Sequence, residues 1–363
     1  MILDRYLALR FLRSFAATLA IFFGFLALVD LVEKARRFGD EAEGLGPILA
    51  LTLLDVPSGL YAILPLVTII AAISLFLGLA RSSELVVTRA SGRSAIRALL
   101  GPSVVAVALG AVAVAAFNPI VAVTSREYEA REARLEGDES VLAFSEDGLW
   151  LRQGGQQGPV VIRAARSNLD GTVLSDVTFL SYGEDGRPRE RVEAATARLA
   201  QGYWVLSEAK VWTLRAANPE AESREEPTLS LPSTLTADQI RDSFGDPSSI
   251  PIWELPAFIR KLEEAGFAAQ RHRVFFQMEL AQPALLLAML LIAAGFTMQH
   301  QRGRRTGVVV LAAILAGFGL YFLRNLALIL GEAGQVPPAL AAWAAPVAAI
   351  GLSLGLLLHL EEG

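Results

Sequence analysis

The side chains able to do chemistry in this 363-residue chain are ions, and their spacing suits binding rather than catalysis. Cysteine is absent, which removes thiolate nucleophiles, disulfides and Cys-ligated metal. Only His272, His300 and His359 supply imidazole, far apart and outside any HExxH pattern, so no metal site is expected. No GxxxxGK[ST] phosphate loop occurs, so the chain has no ATP site of its own. What remains are charges in unusual company. Asp30, Asp55, Glu279 and Arg324 lie within apolar stretches, where an ionisable group is costly and marks a functional candidate. Either interfacial placement or a polar cavity opening to the outer leaflet accounts for them. Glu279 and Arg324 have opposite signs and could neutralise each other. After the first apolar run stands Glu33-Lys34-Ala35-Arg36-Arg37. Its long basic side chains either snorkel to lipid headgroups or meet an anionic ligand, and both readings stay open.

The elements that must position these charges are membrane spans. Hydrophobic residues make up 53% of the chain, and the mean hydropathy is +0.45, with the apolar residues gathered in blocks. A hydrocarbon core about 30 Å thick takes about 20 helical residues to cross. Candidate spans are Phe15–Val32, one within Ile48–Ala80, Leu99–Val123, Phe275–Thr297, Gly307–Leu330 and Ala339–Leu360. The second stretch is too long for one perpendicular span and too short for two. With Pro57 and Pro65 inside it, a kinked span with an outer extension fits. The first run is read as a retained span, since it lacks an A-x-A-like cleavage site. Arg5, Arg10 and Arg13, then Arg81, Arg89, Arg93 and Arg97, then Arg302, Arg304 and Arg305, mark short segments that belong in the cytoplasm. Both termini are then inside, and the long insert after the third span is outside, in the periplasm of a two-membrane bacterium.

The insert begins with a charged stalk, Ser125–Glu136. Strand-like runs follow at Val141–Phe144, Gly148–Arg152, Val160–Ala165, Val173–Ser181, Val192–Leu199, Trp204–Leu206, Lys210–Leu214 and Thr228–Leu231. Turn residues separate them, predicting a β-sandwich or jelly roll. Trp150, Trp204 and Trp212 read as its core. Glu146 and Asp147 read as solvated turn residues, not a hydrolytic carboxylate pair. Apolar Leu255, Phe258, Ile259 and Leu262 predict an amphipathic return helix. The expected fold is thus an α-helical membrane protein, six spans in a 3 + 3 layout, with an inserted periplasmic β domain. Its segments are 1–124, 125–270 and 271–363.

Between spans two and three, RSSELVVTRASGRS predicts a short helix over 82–92. Ser82 or Ser83 caps it, Glu84 sits in the first turn, and Gly92 stops it. Two turns of helix are stable only when packed on something. Leu85 and Val86-Val87 would lie in the headgroup layer or dock in a groove of a cytoplasmic ATPase, with Glu84 pairing a partner arginine.

LDRY (Leu3–Tyr6), RSSELVVTRASG (Arg81–Gly92), GLW (Gly148–Trp150) and VPP (Val336–Pro338), in this order on the 3 + 3 layout, resemble the lipopolysaccharide-export permeases LptF and LptG. LDRY with RSSELVV brings the chain nearer the LptG branch. The resemblance implies a transmembrane subunit paired with an LptF-type permease. An LptB-type ATPase dimer would hold ATP and Mg, and an LptC-type single-span periplasmic protein would receive the lipid. Lipopolysaccharide would leave the outer leaflet of the inner membrane for a periplasmic β-jelly-roll bridge. It further implies ATPase coupling through Arg81, Glu84, Leu85, Val86 and Arg89. Lipid contact would involve Lys34, Arg36 and Arg37, with Asp30, Glu279 and Arg324. The chain departs from the family pattern at Glu33, which precedes Lys34 where paired lysines stand. No cofactor of its own, no catalysis and no nucleic acid are expected. The alternatives are an LptF-type paralogue of the same complex and a mechanotransmitting ABC-type permease that transports no lipid itself.

Overall fold

A computed structural model of the chain describes residues 2–38, 44–82, 84, 94–136, 142–145, 148–153, 159–167, 172–183, 186–216, 218–233, 235, 247–264, 269–298 and 306–362. They form two compact units. One comprises Met1–Leu135, Pro247–Leu255 and Gln270–Gly363, and the other Glu136–Asp246 with Pro256–Ala269. The charged stalk therefore belongs with the helices, and Pro247–Leu255 returns to them.

In the helical unit, α1 (Ile2–Phe38) is one uninterrupted helix of 37 residues, about 55 Å long at 1.5 Å per residue. Next come α2 (Leu45–Ala62) and α3 (Leu64–Arg81). Pro65 in the first turn of α3 has no N–H to give the preceding turn, and the break falls at Ile63. Contacts with α1 fix the path of this pair. Lys34 meets Asp55, Leu26 packs at Gly59, and Arg10 lies beside Gly78 and Glu84. Numbers fall along α1 as they rise along α2 and α3, so the two helices form a single broken rod antiparallel to α1. That resolves the awkward length of Ile48–Ala80.

Ser94 accepts the Arg97 amide and starts α4 (Ala95–Val112). The helix runs through a π-turn at Ala113–Phe117 into α5 (Asn118–Glu136). α6 (Leu255–Glu264), which from Pro256 onward belongs to the β unit, buries Leu255, Ile259 and Leu262 and half-buries Phe258, the stripe expected from the spacing. Next are α7 (Gln270–Leu280) and α8 (Gln282–Thr297), bent by 50° at Ala281 beside Pro283. Finally α9 (Thr306–Glu332) turns at left-handed Gly334 (φ +73°) into α10 (Pro338–Glu362). α1, α2, α3, the α4–α5 rod, α9 and α10 are each long and apolar enough to span, as are α7 and α8 as a bent pair. With α2–α3 as one traverse, three crossings precede the β insert and three follow it.

The core of this unit is α8, buried along almost its whole length. Gly110 of α4 approaches so closely that a Cβ there would come within 2.4 Å of the Pro283 backbone. By contrast, Ile21, Phe25 and Leu28 of α1 and Phe322 and Leu323 of α9 are exposed, as lipid- or partner-facing side chains must be.

Among the described residues the β unit has seven strands: β1 (Leu142–Ser145), β2 (Gly148–Gln153), β3 (Val160–Ser167), β4 (Val173–Tyr182), β5 (Pro188–Ala200), β6 (Tyr203–Thr213) and β7 (Arg224–Pro232). All pairs are antiparallel and neighbours in sequence are neighbours in the sheet. Trp204–Leu206 and Lys210–Leu214, read from sequence as two runs, belong to the single strand β6.

One sheet still makes a two-layered core, because it is creased. Ala165, Asp176, Ala195, Glu208 and Pro227 drop out of the pairing along one transverse line, and Asp176 and Glu208 there have φ of 54° and 55°. Across that line the buried positions change parity, from Leu174 to Val177 on β4 and from Leu206 to Ala209 on β6. Phe179 and Trp204 lie on opposite sides of it. A flat sheet would hold them roughly 20 Å apart at 3.3 Å per residue. Their ring centroids are 6.1 Å apart, so the sheet is folded with its leaves facing. Buried Gln153 ties the ends by donating to the Pro232 carbonyl and accepting from Ser233. Trp204 is core, as expected. Trp150 and Trp212 instead carry cations on their rings, Arg163 on the first and Arg191 and Lys210 on the second.

Candidate functional site

The charges singled out in the sequence gather into distinct nodes on the helical unit. At one end of α1, Lys34 is 4% exposed. Its Nζ donates to both Asp30 oxygens at 2.7 and 2.6 Å and to Asp55 Oδ2 at 2.6 Å. The Asp30 pair is an i, i+4 contact on α1, whereas Asp55 arrives from α2, so the node pins the two helices together. The same ammonium lies 4.7 Å from the centroid of the Tyr128 ring on α5. One turn on, Arg37 pairs with Glu132 at 2.8 Å. Arg36 is exposed and has no side-chain partner among the described residues.

At the other end of α1, 24 residues and about 36 Å from Lys34, Arg10 donates to both oxygens of Glu84 at 2.7 and 2.8 Å. Tyr6 donates to Glu84 at 2.9 Å and Ser82 at 2.6 Å. Hydrogen bonding by Ser82, then by Arg10, holds the Glu84 carboxyl below the usual carboxylate range. Arg81 is exposed at the end of α3. Leu85, Val86 and Arg89, with the rest of the expected docking helix, lie outside the described residues.

Glu279 forms a third node, in the last turn of α7. It is 3% exposed, and its Oε2 accepts from Tyr61 and, at 3.2 Å, from Asn118. Asn118 in turn accepts the Ile252 amide at 2.9 Å. Each of these residues stands at an irregularity: Tyr61 before the break at Ile63, Asn118 after the π-turn, Glu279 before the bend at Ala281. Helix irregularities leave backbone groups and hinges where regular turns have none. Here one carboxylate joins them. Beside it lies a cavity of about 200 Å³, lined by Tyr61, Asn118, Glu279, Gln282, Tyr321 and Arg324 among others. The structure therefore brings Glu279 and Arg324 to one cavity but leaves them beyond ion-pair distance. Tyr61 and Asn118 were missed in the sequence because a neutral residue in a span raises no alarm. Their proximity to Pro65 and Pro119 was the available signal.

These nodes bind charge and connect helices; they do not assemble a nucleophile with a base. The model of the family described as lipopolysaccharide export system permease LptF/LptG matches residues 5–359 of this chain. The lipopolysaccharide export system permease protein LptG of Haemophilus influenzae is 27% identical over 343 residues, 92% of this chain and 91% of that protein. The LptG protein of Escherichia coli K12 is 27% identical over 366 residues, 99% of this chain and 98% of its own length.

Proposed function

The chain belongs to the LptF/LptG family of lipopolysaccharide export permeases, and on that premise we propose that it is the LptG-type transmembrane subunit of an ATP-driven lipopolysaccharide exporter. It is a multi-pass membrane protein. In this reading it sits in the inner membrane with both termini cytoplasmic and the β unit periplasmic. It pairs with an LptF-type permease over an LptB-type ATPase dimer, and hands lipid to an LptC-type protein and the β-jelly-roll bridge beyond. The partner ATPase binds ATP and Mg; this chain does no hydrolysis.

The observation that carries the reading is the attachment of Glu84 to α1. ATPase closure displaces the segment that begins at Glu84. Arg10 and Tyr6 deliver that displacement to α1, and α1 is one unbroken helix up to Lys34, Arg36 and Arg37. A stiff helix transmits a push at the cytoplasmic end to the cations at the other. Arg36 is open to a lipid phosphate, and Lys34 reaches one by exchanging Asp55. Apolar faces of α1 and α9 receive acyl chains, and the folded sheet offers an apolar interior to a lipid leaving the membrane.

Purification from native membranes tests this directly. The wild-type chain should carry an ATPase of the LptB type and lipopolysaccharide, and Glu84→Arg should lose the ATPase while remaining folded. Recovery of the ATPase with Glu84→Arg would remove the coupling role. Recovery of ATPase with only ordinary phospholipid would favour a mechanotransmitter.

A further inference from the structure

We propose that the cavity beside Glu279 is a binding site for a zwitterionic aminophosphate headgroup, with phosphate on Arg324 and a primary ammonium on Glu279. This goes beyond the export reading and does not depend on it.

The argument starts from unmet polarity inside an apolar helical unit. Glu279 is nine-tenths buried, yet only its Oε2 has protein donors. Oε1 has no partner among the described residues, and Glu279 lines the cavity. Across the same cavity, Arg324 makes no hydrogen bond or ion pair among the described residues, although it is within electrostatic reach of the carboxylate. Gln282, on the same wall, has a buried side-chain oxygen with no partner. Arg324 is half-buried, whereas Glu279 and Gln282 are buried, and buried polar groups are rarely left unmet. A ligand that answers all of them must present acceptors to a guanidinium and N–H donors to a carboxylate and an amide oxygen.

Size and geometry narrow the class. At about 30 Å³ per water, a cavity of about 200 Å³ holds far more than one bridging solvent molecule. Phosphate suits the planar fork of an arginine, which can donate two parallel bonds to it. A primary ammonium brings three donors, enough for Glu279 Oε1 and Gln282 Oε1 together. A choline headgroup carries the same charge but no donor, and a glycerol headgroup has no cation. The site should therefore separate ethanolamine from both. The shared chemistry is phosphoethanolamine, which a glycerophospholipid or a decorated lipid A can supply.

Native mass spectrometry of the delipidated full-length chain in detergent, incubated with short-chain phosphatidylethanolamine, phosphatidylcholine or phosphatidylglycerol, tests the site. Phosphatidylethanolamine should be retained about tenfold over the other two, the factor expected for a charge-assisted hydrogen bond. Arg324→Gln should reduce retention, and Glu279→Gln should bring ethanolamine down to the choline level. A matched thermal melt shows that each variant is folded. Should Glu279→Gln fail to fold, Gln282→Leu, which removes one ammonium acceptor, replaces it. Lipid A bearing phosphoethanolamine should displace the bound phospholipid if decorated lipid is the natural occupant, and lipid A without it should not. Equal retention of all lipids, or retention indifferent to these substitutions, would overturn the assignment.

Discussion

The two ends of α1 handle charge in opposite ways. At Lys34, one buried cation answers two carboxylates from two helices. At Arg10, one cation and two hydroxyls answer a single carboxylate in a setting about one-third exposed. Burial decides what each can be. A buried charge that loses its partner is stranded, at a cost of roughly 3–5 kcal/mol, whereas an exposed pair contributes about 0–1 kcal/mol. The Lys34 node therefore fastens α1 to α2, and the Glu84 node is a contact that a partner protein can exchange at little cost.

The largest test of this contrast is Lys34→Met. It leaves Asp30 and Asp55 facing each other, and a loss of about 3 kcal/mol is expected in detergent unfolding, the lower end because Asp55 is more exposed. An unchanged midpoint would break the comparison. Adding Asp30→Asn and Asp55→Asn to Lys34→Met should recover about half of that loss, since neutral amides need no cation. At the other end, Glu84→Gln should move stability by no more than about 1 kcal/mol, read in the same unfolding assay, while ATPase recovery falls.

The smallest effect is that of pH. A carboxyl held below its unfolded value contributes stability that is fully present above the unfolded pKa and lost as pH falls through the folded one. The Glu84 contact is thus expected to be unchanged between pH 8 and pH 6. It should open only in acid. The chain has no cysteine, so spin labels at Leu9→Cys and Arg81→Cys read the separation directly. A separation that changes near neutrality would mean that another group controls this end.

Much of this was legible in the sequence, for physical reasons. Spans are legible because every residue in one meets the same solvent. Asp30, Asp55, Glu279 and Arg324 stood out by rarity alone. Their pairings did not, because whether Asp55 meets Lys34 depends on the rotation of α2 against α1. Pro65 announced the break at Ile63, and Pro119, which has no N–H to give the preceding turn, marked an irregularity beside the π-turn without specifying its kind. In the insert, alternation gave the strands away. The parity change at Glu208 broke it, which is why β6 reads as two runs, and a positive φ at Asp176 or Glu208 has no sequence mark as glycine would.

The sequential strand order has a consequence in time. Every described strand pairing in the β unit joins a strand to the one made just before it, so loop closure is short at each pairing step. The later folding of the two leaves, with Gln153 reaching Pro232, joins distant segments. Such a domain can zip strand by strand as it emerges. Its strand pairings involve only residues made before α7 to α10 are synthesised. The insert can be finished while half the helical unit is still unmade, without delaying the assembly of a protein whose two halves it separates.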